Sequence, residues 1–128
     1  MTYTAKWSGK AVSANRRLAP GKGGRFYRAA DYTSFLKSLA VTFQAEASRQ
    51  RWVTTKVPVA VEICAWLPAQ MDGEAVQKPV LDALELAGVV VNDRQCSDVR
   101  MRKMGVCPVS RIEIVVRPLT ECGDRDRV

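Results

Sequence analysis

The sequence predicts one small α/β (α+β) domain, a mixed sheet of four to five strands packed by two helices. Three observations predict it. Stretches 30–48 and 78–87 repeat apolar residues at three- and four-residue steps, the period of a helix with one buried face. Stretches 57–65, 98–104 and 111–117 alternate apolar with mixed residues, the period of a half-buried strand. No repeat, long linker or low-complexity block divides the 128 residues, so residues 1–118 read as one domain and 119–128 as a polar tail expected to be disordered.

Taken in order, Tyr3 to Trp7 gives a weak signal for a short strand. Ser13 to Gly24 (SANRRLAPGKGG) is rich in turn formers and cations and reads as an exposed, mobile loop. In the first helix, Ala30 to Ser48, the residues Tyr32, Phe35, Leu36, Leu39, Phe43 and Ala47 form one apolar stripe. Asp31 is its expected N-cap, because a carboxylate can accept the free amides of the first turn. Val57 to Ala65 is a strand with Pro58 at its start, where a missing donor does least harm. Leu67 to Gly73 is a break.

The second helix is expected from Lys78 to Ala87, with Val76, Val80, Ala83, Leu84 and Ala87 on one face. Gly88 suits the left-handed position that ends a helix. Pro79 is tolerated only in a first turn, since further in its ring meets the carbonyl four residues back. The helix therefore starts near Val76 or kinks at Pro79. Val89 to Val91 is too short an apolar run to classify. Asp98 to Met104 and Arg111 to Arg117 are strands joined through Gly105 to Ser110.

Hydrophobic residues make up 47% and charged residues 26%, an ordinary globular balance. No apolar run approaches the ~20 residues of a membrane span. The start, MTYTAKWSGK, lacks the apolar core of a secretory signal, so a cytoplasmic location is expected. Cys64, Cys96, Cys107 and Cys122 contain no CxxC pair and there is no histidine, which argues against zinc and for free thiols. The net charge of +7 favours encounters with polyanions. No helix pairs an apolar face with flanking lysines, so a membrane surface is not the expected partner.

Without histidine, serine–histidine and cysteine–histidine nucleophile systems are excluded. Acid–base work falls to carboxylates, lysine, tyrosine, cysteine or metal-bound water. Six of the 13 acidic residues lie in one stretch: Asp72, Glu74, Asp82, Glu85, Asp93 and Asp98. Magnesium takes oxygen ligands, usually one or two carboxylates plus waters and substrate phosphates. A plainer account competes. Glu74, Lys78, Asp82 and Glu85 share one helix face, where i,i+4 ion pairs contribute about 0.2–0.5 kcal/mol each. That account covers the stripe but leaves out Asp72 and Asp93, except as turn residues.

The stretch Met71 to Gln95, MDGEAVQKPVLDALELAGVVVNDRQ, resembles the core motif of RusA-type Holliday junction resolvases, D-x-D-N-x-x-K-x-x-x-D-A-L followed by a short strand ending in Asp-Asp. Asp72 falls on the first acid, Lys78 on the lysine, Asp82-Ala83-Leu84 on the DAL and Asp93 on the second residue of the acidic pair. Glu74 stands where the family has aspartate, Ala75 where it has asparagine, and Asn92 on the first residue of the pair. Val12 to Tyr27 resembles the family's basic N-terminal segment. Val57 to Leu67 and Arg111 to Val116 fit the flanking strands, so the resemblance spans most of residues 3–118.

The resemblance implies a homodimer with one site per protomer, matching the two-fold symmetry of a four-way junction of branched DNA. It implies Asp72, Glu74 and Asp93 as ligands of Mg2+, for which Mn2+ may substitute, and no small-molecule cofactor. Lys78 would stabilise charge on the phosphoryl group and Asp82 would support Lys78. Asn15, Arg16, Arg17, Lys22, Arg25 and Arg28 would hold DNA phosphates, as would Arg100, Arg102 and Lys103. Their plainer role is solubilising charge. Trp7, Trp52 and Trp66 are candidates for base stacking, with core packing the expected role of at least two. Phe26 or Tyr27 is a candidate wedge at the branch. Two rivals stay open: a DNA- or RNA-binding module that kept the fold and lost the metal site, favoured by Glu74 and Ala75, and a metal-dependent nuclease for flaps or forks.

Overall fold

Alternating sequence builds the sheet, and one row of side chains runs across all of it. In the computed structural model, which describes residues 1–13, 18–20, 26–28 and 30–119, the principal strands are β1 (Tyr3–Gly9), β4 (Val59–Leu67), β5 (Cys96–Val106) and β6 (Ser110–Pro118). They lie in the order β1-β6-β4-β5. Ala5, Ile114, Ile63 and Met101 are register neighbours in that order, and the first three are buried with Met101 packed against them. Both helices, α1 (Ala30–Arg49) and α2 (Glu74–Leu86), contribute to the same core, through Tyr32, Phe35, Leu39 and Phe43 of α1 and Val76, Val80, Ala83 and Leu84 of α2. Each such fully buried large apolar side chain contributes about 1.5–3 kcal/mol relative to exposure.

The pair β4–β5 is parallel, while β4–β6 and β1–β6 are antiparallel. A parallel pair needs a crossover, and α2 supplies it. The strands joined through Gly105 to Ser110 are therefore not neighbours: β4 lies between β5 and β6. Two core side chains have their polar ends matched. The Tyr3 hydroxyl donates to the Phe43 carbonyl at 2.7 Å and Trp7 Nε1 to Ser38 Oγ at 2.8 Å.

Four expectations change. First, α2 begins at Glu74, before Lys78 and close to the Val76 start that Pro79 left open, and runs through Pro79 in its second turn. Its first turn is tightened by Ala75 N–H to Asp72 O at 3.1 Å and Val76 N–H to Gly73 O at 3.2 Å. Burial of the Pro79 ring offsets the bond its nitrogen cannot donate. Second, Val89–Val91, where the family motif has a short strand, is not one; Val90 makes a single parallel bridge to Thr55. Gly88, left-handed at φ 76°, ends α2 as expected. Third, Asp31 lies inside the first turn of α1, and its carboxylate accepts the Tyr32 N–H at 2.8 Å. Fourth, within the expected loop, Leu18–Pro20 (β2) pairs antiparallel with Phe26–Arg28 (β3) as a separate two-stranded sheet. The rest of that loop beyond Ser13, and the tail from residue 120 on, lie outside the described residues. Among the described residues no helix is long and apolar enough to cross a membrane.

Candidate active site

Helical spacing places Glu74, Gln77, Lys78 and Leu81 along one side of α2. With Asp93 they line a cleft of about 440 Å³. Asp93 reaches it because the chain after Gly88 is held bond by bond. Thr54 Oγ1 donates to the Gly88 carbonyl at 2.6 Å, and Trp52 Nε1 to the Val89 carbonyl at 2.9 Å. Asn92 then caps a 3-10 turn, Asp93–Gln95, with its side chain accepting the Arg94 N–H at 2.8 Å. Asparagine and aspartate cap equally well, so Asn92 keeps this turn where the family motif has an acid.

Gln95 is the hub. Its Oε1 accepts the N–H groups of Val91 and Asn92, both at 2.8 Å. Its Nε2 donates to the carbonyls of Thr55 at 2.8 Å and Val57 at 2.9 Å. Glu85 Oε1 accepts the Asp93 N–H at 2.9 Å. Sequence reasoning missed both as positioning groups. The spacing Asn92-x-x-Gln95 is the available signal, since a cap residue followed by glutamine three positions on is a capping box.

Asp72 is placed by a different device. Lys103, expected at the DNA, donates through Nζ to the carbonyls of Pro68 at 3.1 Å, Ala69 at 3.3 Å and Met71 at 2.8 Å. Gly73 lies against β5, where an added Cβ would stand 3.2 Å from Met101 Cγ. The two contacts fix the approach to α2, and no feature of the alternating strand pattern marked Lys103 for this work.

Lys78 Nζ lies 3.5 Å from Asp82 Oδ1, with side-chain exposures of 53% and 23%. Such a solvated pair is weak, leaving the ammonium able to turn toward the cleft. Among the described residues Lys78 makes no ion pair with Glu74, so the continuous i,i+4 ladder does not form. The half-buried Cys96 thiol is pushed up to about 11, by burial first and then by the carboxylates of Asp93 and Glu85. It is not a nucleophile at neutral pH.

The three acids expected to meet are divided. Glu74 and Asp93 share the smaller cleft, while Asp72 and Glu74 share a larger one, so Glu74 is common to both. Among the described residues no three acidic or cysteine side chains gather closely enough to hold a metal ion. The donor set still suits a hard cation. It is all oxygen, with Asp72 and Glu74 exposed and Asp93 half-buried, and a pair of carboxylates with water and phosphate is an ordinary magnesium shell.

Of the other candidates, Asn15, Arg16, Arg17, Lys22 and Arg25 lie outside the described residues, and Arg28 ends β3. Arg100 and Arg102 are exposed and pair in register with Glu62 and Cys64, alternating with the inward Met101. They therefore occupy the sheet face opposite α2, away from both clefts. Arg100 stands 3.8 Å from Asp98. Trp7 is buried and Trp52 half-buried against the core, as expected for core tryptophans, while Trp66 carries Arg111 over its ring at 4.0 Å. The expected wedge residues, Phe26 and Tyr27, form β3.

In this mixed-sheet α+β domain the crossover helix carries carboxylates and a lysine along one cleft. The family model described as Endodeoxyribonuclease RusA matches residues 8–117, and the chain belongs to that endodeoxyribonuclease family. No curated protein matches the chain.

Proposed function

We propose that this protein is a magnesium-dependent, structure-selective endodeoxyribonuclease that resolves Holliday junctions by paired nicks during DNA recombination and repair. The observation that carries the reading is the convergence of Glu74, Lys78 and Asp93 on one cleft, in a chain of the RusA family. Asp72, Glu74 and Asp93 would supply the cation's ligands, with Glu74 common to the two clefts. Magnesium, or manganese in its place, supplies Lewis acidity at the scissile phosphate. Lys78 donates to a non-bridging phosphoryl oxygen as charge grows there. Asp82 keeps the Lys78 ammonium near the cleft, and Glu85 and Gln95 keep Asp93 facing it. Two protomers related by a two-fold axis cut opposing strands of the four-way junction. The basic segment from Asn15 to Arg28 grips the flanking phosphates, and the protein works in the cytoplasm without a small-molecule cofactor.

The test is incubation of a mobile four-way junction with and without magnesium, beside a matched linear duplex. Nicking of the junction in magnesium, none in excess chelator and little on the duplex is expected, from a protein that light scattering finds dimeric at micromolar concentration. Cutting that persists undiminished in chelator would remove the metal. A second reading, a junction-binding module without catalysis, is favoured by Ala75 at the family's asparagine position and by the divided carboxylates. Tight junction binding with no cutting in magnesium or manganese would select it.

A further inference from the structure

The larger cleft, about 920 Å³, adjoins the smaller one through Glu74. The turn after β1 gives it Lys10, the β5–β6 turn gives Pro108 and Val109, and the loop before α2 gives Met71. Lys10 is exposed, and Val109 is 61% exposed although apolar. The volume lies near the top of the roughly 300–1,000 Å³ of small-molecule pockets, room for a nucleotide but not for a duplex.

The chemistry of the walls sorts what can enter. Pro108, Val109 and Met71 offer apolar surface that suits the face of a base and gives a phosphate nothing. Asp31, Asp72 and Glu74 also line the cleft and repel a free phosphate near them, while Lys10 attracts one. One nucleotide of a strand whose reacting phosphate lies at Glu74 offers both kinds of surface, a base for the apolar wall and a flanking phosphate for Lys10.

We propose that this cleft is a subsite for one unpaired nucleotide of the strand being cut, its base against Val109, Pro108 and Met71 and its flanking phosphate on Lys10. The inference rests on the reading of the Glu74–Asp93 cleft as the cutting site and adds to it a source of structure selectivity. A nucleotide leaves the stack at least cost where pairing is already interrupted, so a branch point fills the subsite and an unbroken duplex does not.

The experiment uses four-way junctions carrying a single 2-aminopurine at successive positions flanking the branch, with the full-length protein in excess chelator, so that binding is read without cutting. Unstacking raises the fluorescence of this base. A severalfold rise at one position on binding is expected, lost in Val109→Glu with its thermal midpoint unchanged. Lys10→Ala should reduce the slope of log affinity against log salt by about one. A bound junction whose fluorescence stays quenched at every position, or a Val109→Glu protein that keeps the rise, overturns the subsite. A rise without any nicking in magnesium overturns the nuclease reading and leaves the subsite standing. Nicking without a rise does the reverse, and no junction binding at all overturns both.

Discussion

Glu85 Oε1 accepts the backbone N–H of Asp93 at 2.9 Å, so the last turn of α2 holds the residue that faces its first turn across the smaller cleft. This bond makes Glu85 a positioning group. Glu85→Ala should lower the nicking rate about tenfold while changing stability by no more than about 1 kcal/mol, the net worth of one exposed hydrogen bond. Glu85→Gln keeps the acceptor oxygen and should restore most of the rate. Equal rates in Glu85→Ala and wild type, under single-turnover conditions, would show that the bond does no positioning.

Gln95 makes four bonds to backbone groups, two just before the turn and two in the Thr55–Val57 segment. Removing them in Gln95→Ala should destabilise the protein by about 1–3 kcal/mol in urea titration, since partly buried backbone groups lose their partners. Nicking should fall further than the unfolded fraction explains, because Asp93 is no longer fixed. A stability loss with an unchanged rate in the folded population would confine Gln95 to the scaffold.

The strands and the two helices were legible because burial of one face writes its period into the sequence. The Ile112, Ile114, Val116 alternation is that face of β6, and the Val76, Val80, Leu84 stripe is that face of α2. What was not legible depends on backbone partners. Val89 to Val91 has the composition of a strand, but Trp52 and Thr54 occupy the carbonyls of Gly88 and Val89, and one bridge to Thr55 is left. Pro79 hid the start of α2, because the first-turn bonds to Asp72 and Gly73 are not visible in residue types. Lys103 looked like its neighbours Arg100 and Arg102, yet three carbonyls claim its ammonium.

That assignment of Lys103 is testable. Lys103→Met keeps the apolar stem and removes the donor, so the loop carrying Asp72 loosens. Nicking should fall severalfold with the salt dependence of DNA binding unchanged. A slope reduced by about one would place Lys103 on a phosphate instead.

Arg16, Arg17 and Arg25 should behave in the opposite way. Neutralising all three should weaken junction binding and flatten its salt dependence, each lost phosphate contact reducing the log–log slope by about one. Thermal stability should not change. An unaltered slope in filter-binding or anisotropy titrations would assign these residues to solubility.

Substitution of Asp93 separates site from scaffold. Asp93 is held by its backbone, through Glu85 and the Asn92–Gln95 capping box, and its carboxylate is not among the groups that hold the turn. Asp93→Asn should therefore leave the fold intact. It also removes a negative charge from a cleft that faces a phosphate, where like charges repel unless a cation intervenes. Junction affinity in chelator should accordingly stay the same or rise, while nearly all nicking in magnesium is lost. Asp72→Asn should behave alike from the other cleft, since Glu74 joins the two. Lys78→Ala should lose activity with a smaller gain in affinity, or a loss, because it removes a cation. If these acids were only a solvated face, Asp93→Asn would be silent and the Lys78–Asp82 pair alone would matter, by a few tenths of a kcal/mol in stability. Comparing nicking rate, affinity and melting temperature of the three variants decides between the two, and wild-type nicking by Asp93→Asn would take Asp93 out of the site.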